Sequence, residues 1–277
     1  SKHIVLDAFA KFNSKFHEIA SKAFDEKWID VMPKDKKRGG AFSHPATPST
    51  HPYVLLNHTN TRRDLFTLAH ELGHAIHQYL SRDVGYLGSD TPLTTSETAS
   101  VFAEMLVFDA IKENLSVEEK RSLYASKIED IFSTLYRQIN FTTFERCVHA
   151  HDGEVDVASF NAYWMKESEK MFGKSITLSS DYALWWSYIP HFIHSPFYCY
   201  AYSYGQLLVL ALYGLYKKSD KKEFVKNYTA FLSAGGSQSP KELIATFGFD
   251  IDDEAFWALG IGEIESLLKE FKGMCDA

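Results

Sequence analysis

The chain has 277 residues, 45% of them hydrophobic, and a formal net charge of −7. That is enough apolar material for one large domain or two small ones. The acidic balance, without a basic patch or polybasic run, argues against nucleic acid and against a membrane surface as partners. Three scattered cysteines, Cys147, Cys199 and Cys275, form no Cys-x-x-Cys pair; they argue against a disulfide framework and a cysteine-held zinc, and suit a reducing cytoplasm.

In chain order, residues 3–30 read as helix, because Phe9, Phe12, Phe16, Ile19 and Ala23 recur at three- and four-residue steps among charged residues. Between Pro33 and Pro52, prolines and glycines predict loop with a short strand at 41–43, and 53–57 reads as a second strand. Thr61 and Asp64 have capping-box spacing and open a helix that ends near Ser81. Gly85, Gly88 and Pro92 mark a loop, and a further helix runs from 94–96 to about 114. Ser116 and Glu119 form another capping box, opening a helix that reaches 147; a turn at Asp152-Gly153 leads to a helix over 156–172 that Gly173 stops. The stretch 181–204 is rich in aromatics and feeds an apolar helix over 197–217. Helices follow at 221–234, from Ser239-Pro240, and at 261–272. The longest apolar run, 207–213, is about a third of the roughly 20 residues a membrane span needs. No signal peptide opens the sequence, and its first residue is serine, so the chain is expected to begin mid-protein or after processing. The whole reads as mainly α with a small sheet near 39–57.

The chemistry concentrates in His70-Glu71-Leu72-Gly73-His74, an HExxH pattern. On a helix, positions i and i+4 lie one above the other, so His70 and His74 offer two imidazoles to one ion, each at about 2.0–2.1 Å. Glu71 borders that ion without ligating it, the place of a general base. The surrounding helix is strongly apolar (Leu65, Phe66, Leu68, Ala69, Leu72, Ala75, Ile76), so the two histidines lie near a core and need partners. For a third ligand, a histidine ten residues after the first is excluded by Leu80. His77 lies two turns from His70, about 10–11 Å along the axis, and reads as a hydrogen-bonded helix histidine. Glu97 and Glu104 remain, two turns apart on one face. One can ligate while the other accepts a proton from a ligand imidazole; spacing slightly favours Glu97 as ligand, although Thr94 and Glu97 also have capping-box spacing.

His70-Glu-Leu-Gly-His74-Ala-Ile-His77 and Glu97-Thr-Ala-Ser-Val-Phe-Ala-Glu104 resemble the oligoendopeptidase F branch of the thimet-oligopeptidase-like zinc peptidases. So do Gly40-Ala41-Phe42, Pro190-His191-Phe192, the segment from Pro196 to Tyr202, and Ser233-Ala-Gly-Gly-Ser237, in order along essentially the whole chain. The resemblance implies a zincin-like helical catalytic domain with a deep channel, one zinc ion, Glu97 as third protein ligand, Glu104 behind a ligand histidine, and cleavage of short peptides. It also implies a histidine and tyrosines from 191–204 acting on substrate and intermediate: His191, Tyr198 and Tyr202, with His194 next. In a helix Tyr198 and Tyr202 share a face, with Tyr200 and Tyr204 roughly opposite; several of these are alternatively core aromatics. Gly40, Ala41 and Phe42 are expected at a strand edge that binds substrate main chain, although Gly39 and Gly40 also suit a plain turn. His44, His51, His58, His149 and His151 are expected to face solvent.

Family members are longer, with a helical lobe before this region, so residues 1–277 are expected to be the catalytic domain at the C-terminal end of a larger protein. The expected function is a cytoplasmic zinc endopeptidase acting on oligopeptides through a zinc-bound water and the Glu71 base. The alternatives are a zinc carboxypeptidase of related fold, which places histidine where Ser96 stands, and an inactive zinc- or peptide-binding fragment.

Overall fold

The computed structural model describes residues 1–276, with only the backbone of Leu93. The apolar repeat at the start builds two helices rather than one: α1 (Lys2–Phe12) and α2 (Ser14–Asp25). Asn13 separates them in an extended conformation, and its side chain caps α2 by accepting from Lys15 N–H. Three short strands follow, β1 (Ile29–Asp30), β2 (Phe42–His44) and β3 (Tyr53–Leu55). β3 is central, parallel to β1 and antiparallel to β2, with Ser43 opposite Val54.

α3 (Arg62–Leu80) starts on the Thr61–Asp64 capping box, both of whose bonds form, and passes into a 3₁₀ turn at Ser81–Val84. Backbone N–H groups of Thr61 and Thr59, bonded to Asp64, hold its carboxyl far below the usual range. α4 (Leu93–Lys112) begins directly after Pro92, with no side-chain cap. Thr94 and Glu97 therefore lie inside the helix, and the capping box their spacing suggests does not form. The helix predicted to reach 147 is interrupted at Leu135, giving α5 (Val117–Thr134) and α6 (Tyr136–His149). Then come α7 (Val157–Phe172), a 3₁₀ stretch at Ser180–Tyr188, the single turn α8 (His191–His194) and α9 (Tyr200–Lys218). α10 (Lys221–Ser233), α11 (Pro240–Ala245) and α12 (Glu254–Cys275) complete the described chain. The fold is mainly α with one small sheet.

The chain forms two compact units, residues 1–125 with 207–277, and residues 126–206. In the first, α3 packs on α4, and both contact α1. Phe12, Phe16, Phe102, Phe224 and Tyr228 interlock there, Phe12 and Phe102 with ring centroids 5.1 Å apart. Tyr228 is wholly buried and donates its hydroxyl to Thr98 O at 2.7 Å, fastening α10 to α4. In the second unit, α6 and α7 close on Phe141, Phe144, Trp164, Ile189 and Cys199. Among the described residues, no helix is long and apolar enough to cross a membrane.

Candidate metal centre

Helical spacing on α3 sets His70 and His74 edge to face, with ring centroids 4.8 Å apart and planes at 84°. α4 brings Glu97 against them. It can do so because Gly73 faces it: a Cβ at Gly73 would stand 2.6 Å from Ala99 O and from Ser100 Cα, and 2.9 Å from Ala99 C. A glycine within a helix costs about 1 kcal/mol relative to alanine, and here it permits a backbone approach no side chain would.

Three atoms converge as a result. His70 Nε2 and His74 Nε2 are 3.2 Å apart, and Glu97 Oε2 is 3.3 Å from the first and 3.4 Å from the second. A tetrahedral ion with bonds of about 2.0–2.1 Å has ligand–ligand edges of about 3.3 Å. The triangle therefore has the size of one face of a zinc tetrahedron. Two imidazoles and a carboxylate are also the donor set that zinc accepts, so the residues present fit the ion.

Each donor is held from α4. His70 Nδ1–H donates to Glu104 Oε1 at 2.7 Å, which fixes Nδ1 as the donor and leaves Nε2 facing the triangle as the atom that ligates once its proton is displaced. The Ser96 backbone hydrogen-bonds His74 and His77. Ser100 donates its hydroxyl to Glu97 Oε2 at 2.7 Å. Burial pulls His70 down, but the hydrogen bond and charge of Glu104, with Glu97 and Glu71, overcome it and lift the ring to about 9. Burial instead holds His74 down to about 4 and His77 to about 3. The negative potential at His70 is the condition that draws a cation. Glu71 is buried, and its Oε2 has no hydrogen-bond partner. Burial first, then the Glu97 and Glu104 charges, push it up to about 7 against the pull of His70. An orphaned carboxylate oxygen of that basicity is suited to taking and returning a proton near neutral pH.

His70, Glu71, His74 and Glu97 line a cleft of about 380 Å³, which Ala41, Phe42, Ser43, His77 and Gln78 also border. β2 is the outer strand on that side. Gln78, one turn beyond His74, grips it twice: Ser43 Oγ donates to Gln78 Oε1 at 2.8 Å, and Gln78 Nε2 donates to Ser43 O at 3.2 Å. Gly40 is not in the lining; it takes a left-handed turn (φ 81°) and its carbonyl accepts from Asn57 Nδ2 at 2.8 Å. His77 is buried and lies outside the donor triangle. His58 and His51 do not face open solvent as expected: His58 is buried and bonds Ser1 Oγ at 3.0 Å, while His51 stacks on Trp28 at 5.0 Å.

In the second unit, His191, Tyr198 and Tyr202 come together. His191 Nε2 and Tyr202 OH are hydrogen-bonded at 3.2 Å, the His191 ring stacks on Tyr198 with centroids 6.0 Å apart, and the two tyrosines meet edge to face at 4.9 Å. Tyr198 lies before α9, not within it; the turn bonds from Ala201 N–H to Tyr198 O at 2.9 Å and from Tyr202 N–H to Cys199 O at 3.3 Å bring the two tyrosines to one face. His194 is exposed and outside this cluster. Sequence reasoning passed over Gly73, Ser100, Ser43 and Gln78. Gly73 carried a signal, being a glycine inside a strongly helical pattern, and Ser100 stands three residues after Glu97, within helical reach of it; the bonds of Gln78 to Ser43 become visible only when α3 and β2 are in place.

Comparison with known proteins decides the family. The sequence profile described as peptidase family M3 matches residues 5–263. The chain belongs to peptidase family M3. Two relatives of the chain are the oligopeptidase PepF of Bacillus subtilis, 33% identical over 258 residues, and an oligoendopeptidase F homolog of Borreliella burgdorferi, 33% identical over 254 residues. These matches cover 91% and 89% of this chain but 38% and 42% of the relatives. A structure from Chlamydophila abortus, solved as that of a candidate peptidase, superposes with a TM-score of 0.87 at 27% identity, covering 99% of this chain and 46% of that one. This M3 chain thus spans less than half the length of the relatives it matches.

Proposed function

We propose that this M3 chain carries the metal and proton-transfer centre of a zinc endopeptidase that hydrolyses oligopeptides. One observation carries the reading: two imidazole nitrogens and one carboxylate oxygen at tetrahedral-edge separations of 3.2–3.4 Å, with a buried, unpartnered glutamate beside them. His70, His74 and Glu97 would hold the ion, which when bound supplies Lewis acidity toward the peptide carbonyl and toward water. Glu71 accepts a proton from the attacking water and passes it to the leaving amine nitrogen. Glu104 keeps His70 in the tautomer that presents Nε2. The outer edge of β2, with Ala41 just before it, offers main-chain groups to an extended peptide without reading its side chains, which suits broad specificity. His191, Tyr198 and Tyr202, with hydroxyl and imidazole donors grouped together, are the candidates for stabilising the oxyanion. Three free cysteines suit work in the cytoplasm.

An internally quenched oligopeptide tests the reading. Glu71→Gln should bind zinc as the parent does and lose turnover by roughly 10²- to 10⁴-fold, the usual range for a general base. Turnover retained in that variant refutes the base assignment. Release only of single residues from free carboxyl termini would instead indicate a carboxypeptidase.

A further inference from the structure

The carboxylate that completes the donor triangle is itself held. Ser100 is wholly buried and donates to Glu97 Oε2 at 2.7 Å, with its hydroxyl also 3.2 Å from the Glu97 carbonyl oxygen. Oε2 is the same oxygen that stands 3.3 and 3.4 Å from the two imidazole nitrogens. Glutamate has three side-chain torsions, and the Glu97 side chain is 31% exposed to the cleft. Left alone, it would spend much of its time in rotamers pointing elsewhere, and ordering it would oppose metal binding.

The Ser100 hydroxyl is well placed to remove that freedom because the backbone that carries it packs directly against the histidine helix. Its Cα is one of the atoms that a Gly73 Cβ would strike at 2.6 Å. The donor is therefore referenced to α3, which carries His70 and His74, as well as to its own helix. The other holding groups share its register. Ser96, Ser100 and Glu104 are spaced by four on α4, forming one ridge along the face against α3. The first contacts His74 through its backbone, the second Glu97, the third His70.

We infer that Ser100 is a positioning residue for the metal centre: its hydroxyl selects the Glu97 rotamer whose Oε2 completes the triangle with His70 and His74. This rests on the reading of those three residues as ligands. Partners of this kind, one bond away from a metal, typically contribute 10- to 100-fold in affinity.

The test measures zinc affinity by competition with a chromophoric chelator, the visible absorption of the cobalt form, and thermal unfolding without metal. Ser100→Ala should weaken zinc by about 10- to 100-fold and alter the cobalt bands as the carboxylate changes its approach. Its metal-free unfolding should stay near that of the parent. Ser100→Cys keeps the size but donates poorly, and should fall between; it decides the matter if the alanine variant does not fold. Thr98→Val removes a neighbouring buried hydroxyl whose Oγ1 has no hydrogen-bond partner, and should leave zinc affinity unchanged. Parental affinity and cobalt spectrum in Ser100→Ala or Ser100→Cys overturn the assignment, as does an equal loss in Thr98→Val. If the parent itself binds no zinc, the ligand reading falls and takes this inference with it.

Discussion

Adding one methyl group at Gly73 tests how α3 and α4 build the site. In Gly73→Ala the new Cβ would lie 2.6, 2.6 and 2.9 Å from three backbone atoms of Ala99 and Ser100. Ordinary carbon contacts sit at about 3.5–4.0 Å, and none of these atoms is the end of a flexible side chain. α4 must therefore retreat by about 1 Å at this point. Glu97 rides on α4, so Oε2 moves from 3.3 and 3.4 Å to about 4 Å from the imidazole nitrogens. An ion bonded at about 2.0–2.1 Å bridges two donors at most about 4.1 Å apart, and only in a straight line. The carboxylate thus leaves the tetrahedral arrangement. Overpacking costs about 1–3 kcal/mol, and the alanine returns about 1 kcal/mol of helix propensity. Metal-free stability should therefore fall by no more than about 2 kcal/mol, or about 4–8 °C in Tm. Zinc affinity should fall by roughly 100-fold or more, exceeding the effect of losing an outer partner. Thermal unfolding in chelator and in zinc, with a competition titration, separates the two effects. A Gly73→Ala protein that binds zinc like the parent would show that this close approach does not set the site.

Two further outcomes follow from the same geometry. Zinc at about 100 times its Kd should stabilise the parent by about 2.7 kcal/mol, raising Tm by about 5–11 °C, and chelator should reverse it; no shift would contradict the metal assignment. His77 concerns pH. Burial, then the neighbouring His74, lowers its pKa from 6.5 to about 3, so the unfolded chain takes up a proton that the folded chain refuses. Its contribution to stability is complete above about pH 6.5 and is lost as pH falls toward 3. Between pH 6.5 and 5 the loss is about 2 kcal/mol. Urea unfolding of His77→Gln in chelator should show a pH dependence smaller by about that amount, and parallel slopes for the two proteins would refute it.

What could be read from the sequence was whatever short-range chemistry alone determines. The start of α3 needs only Thr61 and Asp64, and the placing of His70 beside His74 needs only helical spacing. The break at Leu135 has no glycine or proline to announce it, so α5 and α6 read as one. The apolar repeat runs on without a break across Asn13, so α1 and α2 read as one helix, although Asn13 caps the second. Thr94 and Glu97 show the opposite error: local spacing suggested a cap, while Pro92 opened the helix earlier. α12 starts at Glu254, seven residues before the 261 that the sequence predicts, and runs through Gly260, where a Cβ would meet Leu207 at 2.8 Å, a tertiary reason for glycine. The pairing of Gln78 with Ser43 depends in the same way on which elements lie side by side, whereas Ser100 and Glu97, three apart on α4, were within helical reach and only their place beside the histidines was not.

The double grip of Gln78 on Ser43 has a mechanical consequence. It bolts the outer strand to the same rod that bears both imidazoles, one turn from the second of them. Floor and near wall of the cleft then travel as one body, and the gap between them is a fixed gauge. Any motion that admits or expels an occupant has to be made by parts of the chain without such a tie.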